Sequence, residues 1–193
     1  MKNYLSNILP RLKQYSHDLD RKEVFIEVPW VIIDEQLNQQ KYIFRRNGEL
    51  VMSLNGQVTI GKWEYLSAAK SLMIDRVSDK ILLNQNFIDP AVMILNKDGS
   101  KNENLILANE ILLPDLDVPR YLKKIYYQKN NIGVLGKLMS GEIIEFINST
   151  SGYINNTEVT IEGEPVSDRK AVLAKSGRIL EIKNSQVVRI LER

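Results

Sequence analysis

The chain has 193 residues, 44% of them hydrophobic, enough for one large domain or two small ones with a real core. Its 26 Lys+Arg against 24 Asp+Glu leave a net charge of +2, far from the concentrated positive field with which nucleic-acid binders displace counterions. The lack of cysteine excludes disulfides, thiolate metal sites and cysteine nucleophiles, and a single histidine, His17, excludes histidine clusters.

Residues 1 to 20 carry Lys2, Arg11, Lys13, His17 and Asp18 among their apolar residues, so they do not read as a signal peptide. No run approaches the ~18 apolar residues of a membrane span, and a cytoplasmic location is the expectation. Leu5, Ile8, Leu9, Leu12, Tyr15 and Leu19 fall at helical spacing. Pro10, whose missing N–H costs nothing in a first turn, predicts that the helix runs over roughly residues 10 to 18.

From Glu23 the texture becomes β-branched and aromatic. Strand-length runs occur at Val24-Phe25-Ile26, Trp30-Val31-Ile32-Ile33, Tyr42-Ile43-Phe44, Leu50-Val51-Met52 and Val58-Thr59-Ile60. They continue at Leu72-Met73-Ile74, Ile81-Leu82-Leu83, Val92-Met93-Ile94-Leu95 and residues 104 to 111. Asn47-Gly48, Asn55-Gly56 and Asp98-Gly99 supply hairpin turns, and local connections predict an antiparallel meander. Trp30 and Trp63 are expected to be buried in one core.

Leu113-Pro114-Asp115-Leu116-Asp117-Val118-Pro119, with two prolines and two acids, reads as a boundary. The division expected is residues 1–118, a helix with a β-meander, and 119–193, a small β module, with 113 to 130 as the separating segment. In the second part, turns are expected at Asn131, Gly141, Ser151-Gly152, Glu162-Gly163 and Ser176-Gly177. Ser140-Gly141-Glu142-Ile143-Ile144-Glu145-Phe146-Ile147-Asn148-Ser149 aligns without gaps on Ser176-Gly177-Arg178-Ile179-Leu180-Glu181-Ile182-Lys183-Asn184-Ser185, 36 residues later. Six identities in ten support two similar hairpins, with Ile144 and Phe146 on one face and Ile143 and Glu145 on the other. Two copies are too few for a solenoid.

Trp30-Val31, the run from Phe44 to Leu50, Gly61-Lys62-Trp63-Glu64-Tyr65, Ser71-Leu72-Met73-Ile74 and the run from Met93 to Gly99 together make residues 30 to 110 resemble the lipocalin-like β-meanders of uncharacterised bacterial proteins. That resemblance implies a sheet plugged by its tryptophans. Val159-Thr160-Ile161-Glu162-Gly163-Glu164-Pro165-Val166 resembles a small β module. The fold class expected is mainly β: an antiparallel meander, a lipocalin-like sandwich or partial barrel, with a short N-terminal helix and a small C-terminal all-β module.

Chemistry is sparse. His17 reads as a solvated helix residue, and one ring cannot build a histidine-based metal site or paired-histidine centre. Asp75, Asp79, Asp89, Glu142, Glu145 and Glu181 are the acids placed among strands, better read as solvated strand faces than as acid–base pairs. Asp98-Gly99-Ser100-Lys101-Asn102-Glu103-Asn104 alternates oxygen ligands but lacks the order of a calcium loop, and no phosphate-binding glycine loop occurs. Arg45-Arg46 and Arg120 to Lys124, interleaved with Tyr121, Tyr126 and Tyr127, have the ingredients of a nucleic-acid strip, yet Glu110, Asp115 and Asp117 weaken it and a tyrosine-anchored polar linker is preferred. No catalytic, cofactor-binding or metal-binding residue is assigned. The function expected is a non-catalytic binding or interaction protein for a protein partner or small apolar ligand. The alternative is a carboxylate-based hydrolase or carbohydrate-active enzyme.

Overall fold

The computed structural model describes residues 2–34, 40–100, 103–149 and 155–192. The chain divides into two compact units, Met1–Tyr121 and Leu122–Arg193. Among the described residues no helix is long and apolar enough to cross a membrane.

Helix α1 (Lys2–Leu12) starts earlier than Pro10 suggested, and Pro10 lies inside it. Ile8, Leu9 and Leu12 are buried on either side of the proline, and that apolar burial outweighs the one ladder hydrogen bond the ring removes. The Leu5 side chain lies outside the described residues. After a 3₁₀ turn at Lys13–Tyr15 the chain is no longer helical, so His17 is not a helix residue: its N–H donates to the Ile88 carbonyl at 2.8 Å. Val24-Phe25-Ile26 is likewise not a strand but the end of a second 3₁₀ turn, Lys22–Val24, that delivers Phe25 fully buried into the core.

The meander follows: β1 (Trp30–Ile32), β2 (Gln40–Phe44), β3 (Glu49–Leu54), β4 (Gln57–Leu66), β5 (Ser71–Asp75), β6 (Lys80–Ile88), β7 (Val92–Lys97) and β8 (Asn104–Asn109). Each strand pairs antiparallel with the next, and β1 pairs with β8, Trp30 opposite Asn109, so the sheet closes into an eight-stranded barrel. Full closure goes beyond the sandwich or partial barrel expected from the strand runs. It removes the sheet edges that an open meander would leave unpaired.

Period-two alternation turns one face of every strand inward, and eight strands enclose a space that side chains can fill. Trp30, Tyr42, Phe44, Leu50, Leu72 and Ile74 fill it here, all of them fully buried. Phe25, Phe44 and Trp63 meet edge to face, with centroids 5.5 to 5.8 Å apart. Gly61 marks the tightest approach of neighbouring backbones, since a Cβ there would stand 2.2 Å from the Asp75 carbonyl oxygen. Before Gly61, residues 57 to 60 pair with β3 alone, and the hairpin tip exposes Leu54, Val58 and Ile60.

The stretch read as a polar linker is a helix, α2 (Val118–Lys129). Asp117 caps it, its Oδ1 accepting the Arg120 N–H at 3.0 Å, and the Ile132 N–H closes its far end on the Tyr127 carbonyl at 2.9 Å, with Asn131 in the left-handed region. Val118, Leu122 and Tyr126, one turn apart, form its buried stripe.

The second unit holds a sheet in the order β12-β11-β10-β9, made of β9 (Val134–Lys137), β10 (Ile143–Phe146), β11 (Val159–Ile161) and β12 (Glu164–Pro165). Beside it lies a three-stranded sheet of β13 (Arg169–Val172), β14 (Ile179–Lys183) and β15 (Gln186–Leu191). The internal echo is structural. Ile144 pairs with Gly136 as Leu180 pairs with Ala171, and Gly141 and Gly177 turn the two hairpins with φ of 92° and 70°. Asn148 and Asn184 repeat a left-handed φ of 52° and 48°. The hairpins meet through a reciprocal pair of hydrogen bonds, Met139 N–H to the Val172 carbonyl and Ala174 N–H to the Lys137 carbonyl, both 2.8 Å, around the Leu138–Leu173 bridge. Ile144, Phe146, Leu180 and Ile182 share the core between them. Of the expected turns, Ser151-Gly152 lies outside the described residues.

Candidate functional site

Three chain segments converge at the end of the barrel where β2 turns into β3. The 3₁₀ turn at Lys22–Val24 and the residues after it form one wall. Ile26 bridges in parallel to Phe44, the Glu27 N–H donates to the Phe44 carbonyl at 2.8 Å, and the Glu27 carboxylate accepts the Arg46 N–H at 3.0 Å. These bonds hold Glu27 at φ 57°, a left-handed conformation uncommon for a non-glycine residue.

The second wall is the turn from Arg45 to Gly48. It is tied to β4 twice, because the Trp63 backbone N–H donates to the Gly48 carbonyl and the indole N–H to the Arg45 carbonyl, each at 2.9 Å. The third wall is β4 itself, with Trp63, Glu64 and Tyr65. Between them lies a cleft of about 340 Å³. The Lys22 ammonium stands 6.0 Å from the Trp63 ring centroid and 5.9 Å from that of Tyr65, within reach of both ring faces.

Acids near these walls are already engaged. Glu27 serves the Arg46 backbone, Glu49 pairs with Arg45 at 3.4 Å, and Glu23 with Arg21 at 3.6 Å. Among the described residues, neither the Lys22 ammonium nor the Arg46 guanidinium has a carboxylate partner, and Glu64 is the acid that lines the cleft.

The acids singled out from sequence are dispersed, each in local bonding. Asp75 pairs with Lys80 at 2.9 Å and accepts the Val77 N–H, and Asp79 pairs with Arg76; these partners hold both carboxyls below their ordinary values. The Ser140 hydroxyl and the Arg169 guanidinium do the same for Glu142. Glu181 lies 3.8 Å from Lys183.

Two acids are buried. Asp89 closes the β6–β7 turn by accepting the Ala91 and Val92 N–H groups at 2.8 and 2.7 Å, and its other oxygen accepts the Tyr121 hydroxyl at 2.8 Å. Burial pushes the Asp89 carboxyl above its ordinary value despite these donors, and burial beside that carboxylate pushes the Tyr121 hydroxyl up as well. Glu145, on the face of β10 opposite Ile144 and Phe146, accepts from the Tyr127 hydroxyl at 2.7 Å, the Thr160 hydroxyl at 2.7 Å and the Gly163 N–H at 2.9 Å. Both carboxylates are structural hubs.

His17 interacts through Nδ1 with the Arg21 guanidinium at 3.0 Å. In the aromatic and basic strip between Arg120 and Tyr127, Tyr121 and Tyr127 bond Asp89 and Glu145 through their hydroxyls and Tyr126 is buried. In the loop from Asp98 to Asn104, Asp98 accepts from Asn84 at 2.8 Å and Glu103 pairs with Lys97 at 3.1 Å, while Lys101 and Asn102 lie outside the described residues. Among the described residues no three acidic or histidine side chains gather to hold a metal ion.

No family model, curated protein or solved structure matches the chain. The cleft therefore stands on its geometry. Two of its elements, Arg45-Arg46 and the Gly61 to Tyr65 run, stand out in the sequence for other reasons, whereas Ile26 reads as part of a strand run that does not form and Lys22 falls between that run and the expected helix.

Proposed function

We propose that the protein acts by binding, and that the cleft beside Trp63 is where its ligand sits. The observation that carries this reading is the way three segments distant in sequence are cross-bonded around one concavity, lined by Trp63 and Tyr65 together with Lys22 and Arg46. Binding sites combine preformed surface of this kind with a few convergent polar groups. Catalysis by a carboxylate pair would need two acids free to exchange protons across a substrate, and Asp89 and Glu145 are instead spent on holding turns and a helix in place.

The meander closes into an eight-stranded barrel. Because large side chains occupy the barrel interior, the reading places a small ligand at the barrel end and not within it. Its test is a panel of glycoside, ester, phosphate and peptide substrates run beside a small-molecule binding screen. The expected result is ligands recovered chemically unchanged whose binding is lost on Tyr65→Ala. Turnover abolished by Asp89→Asn or Glu145→Gln contradicts it.

A further inference from the structure

Resting on that reading, we infer that the cleft takes a small aromatic anion, a single ring bearing a carboxylate or phosphate group. Three observations on the cleft lead there.

The first is charge. Lys22 and Arg46 both line the cleft without a carboxylate partner among the described residues, whereas Arg21 and Arg45, their neighbours in sequence, are both paired. Glu64 also lines the cleft, and the Glu27 carboxylate is taken up by the Arg46 backbone N–H, so both cations keep their N–H donors unspent on a carboxylate. The ammonium of Lys22 and the guanidinium of Arg46, two residues of one lining, offer several N–H donors, and charge-assisted bonds to an anionic oxygen are the strongest such donors make.

The second is surface. The Lys22 ammonium stands 6.0 and 5.9 Å from the centroids of the Trp63 and Tyr65 rings, contacts that leave its hydrogens free. Ile26 and Tyr65 leave an apolar and aromatic surface next to that cation, suited to a flat ring whose anionic group meets Lys22 and Arg46.

The third is size. A volume of about 340 Å³ stands at the small end of ligand clefts, room for one ring and one charged group.

The experiment is a ¹⁵N-resolved NMR titration with four probes: benzoate, phenyl phosphate, benzyl alcohol and inorganic phosphate. The chain has two tryptophans, and the indole N–H signals of Trp63 and Trp30 separate the cleft from the interior core. The expected result is saturable movement of the Trp63 signal with benzoate or phenyl phosphate, and at least tenfold weaker binding of benzyl alcohol and of inorganic phosphate. Lys22→Met, which keeps the apolar stem, and Arg46→Met are each expected to weaken the aromatic anion at least fivefold, and Glu64→Gln to tighten it. Equal binding of benzyl alcohol overturns the anionic requirement while leaving the cleft as a binding site. Equal binding of inorganic phosphate overturns the aromatic requirement. Failure of all four probes at millimolar concentration, or movement of Trp30 without Trp63, overturns the inference outright. Both lysine and arginine side chains are exposed, so unchanged melting of the variants separates a lost contact from a lost fold.

Discussion

The Trp63 indole N–H donates to the Arg45 carbonyl at 2.9 Å, so the same side chain that plugs the barrel also fixes the turn carrying Arg46. Core and cleft share this residue. Trp63→Ala is expected to cost about 3–5 kcal/mol, the usual range for emptying a buried aromatic site. Urea unfolding followed by circular dichroism measures it, and parent-like stability would show that the ring does not support the core.

Tyr42 is fully buried on β2, and among the described residues no group meets its hydroxyl with hydrogen-bond geometry, although the Arg76 guanidinium lies near it. Burial pushes its pKa up, with the Arg76 guanidinium nearby acting in the opposite direction. An unpaired buried hydroxyl costs stability, so Tyr42→Phe is expected to be neutral or to stabilise by up to about 1 kcal/mol. A loss of comparable size in urea unfolding would mean that the hydroxyl is paired in solution.

Asp89 makes stability depend on pH in an unusual direction for a carboxylate. Its folded-state pKa is raised by burial, so its contribution is full below the ordinary carboxylate range, about pH 4, and is lost as pH rises through the raised value. Asp89→Asn keeps an oxygen for the Ala91 and Val92 N–H groups but does not titrate. Parent stability minus variant stability, measured by urea unfolding at a series of pH values, is expected to fall on going from acid toward neutral and then to level off. Asp75, Asp79 and Glu142, whose lowered values act the other way, cancel in that difference. A difference that rises with pH would contradict the assignment.

Glu145 gathers three donors from α2, β11 and the turn after it. Glu145→Ala leaves them without their acceptor, and a loss of about 2–4 kcal/mol is expected. Thr160→Val removes one donor with its hydroxyl and is expected to cost less. Hydrogen-exchange protection of the Gly163 amide reports the same bond, and unchanged exchange in Glu145→Ala would rule the hub out.

Most of the barrel was legible in the sequence because strand runs, hairpin turns and inward aromatics all obey period two. Asn55-Gly56, both with positive φ, turns the β3–β4 hairpin as the dipeptide suggests. Closure was not legible, since the pairing of Trp30 with Asn109 joins the two ends of the meander and leaves no local mark. Helix α2 did have a mark in Asp117, with Pro119 in the first turn and apolar residues at 118, 122 and 126, but the proline and acid content reads as a linker when composition is weighed ahead of capping. The cleft was illegible for a different reason. Lys22, Arg46 and Trp63 come from separate segments, and only the tertiary bonds through Glu27 and the indole bring them together.

The central claim, that the barrel end beside Trp63 is the binding surface, is tested most directly by mapping a fragment library onto the ¹⁵N-labelled protein by chemical-shift change. The expected result is that shifts from binding fragments cluster on Lys22, Ile26, the Arg46 to Gly48 turn, Tyr65 and the Trp63 indole. Shifts that cluster instead on the exposed hairpin tip at Leu54, Val58 and Ile60, or on the second unit, would contradict it.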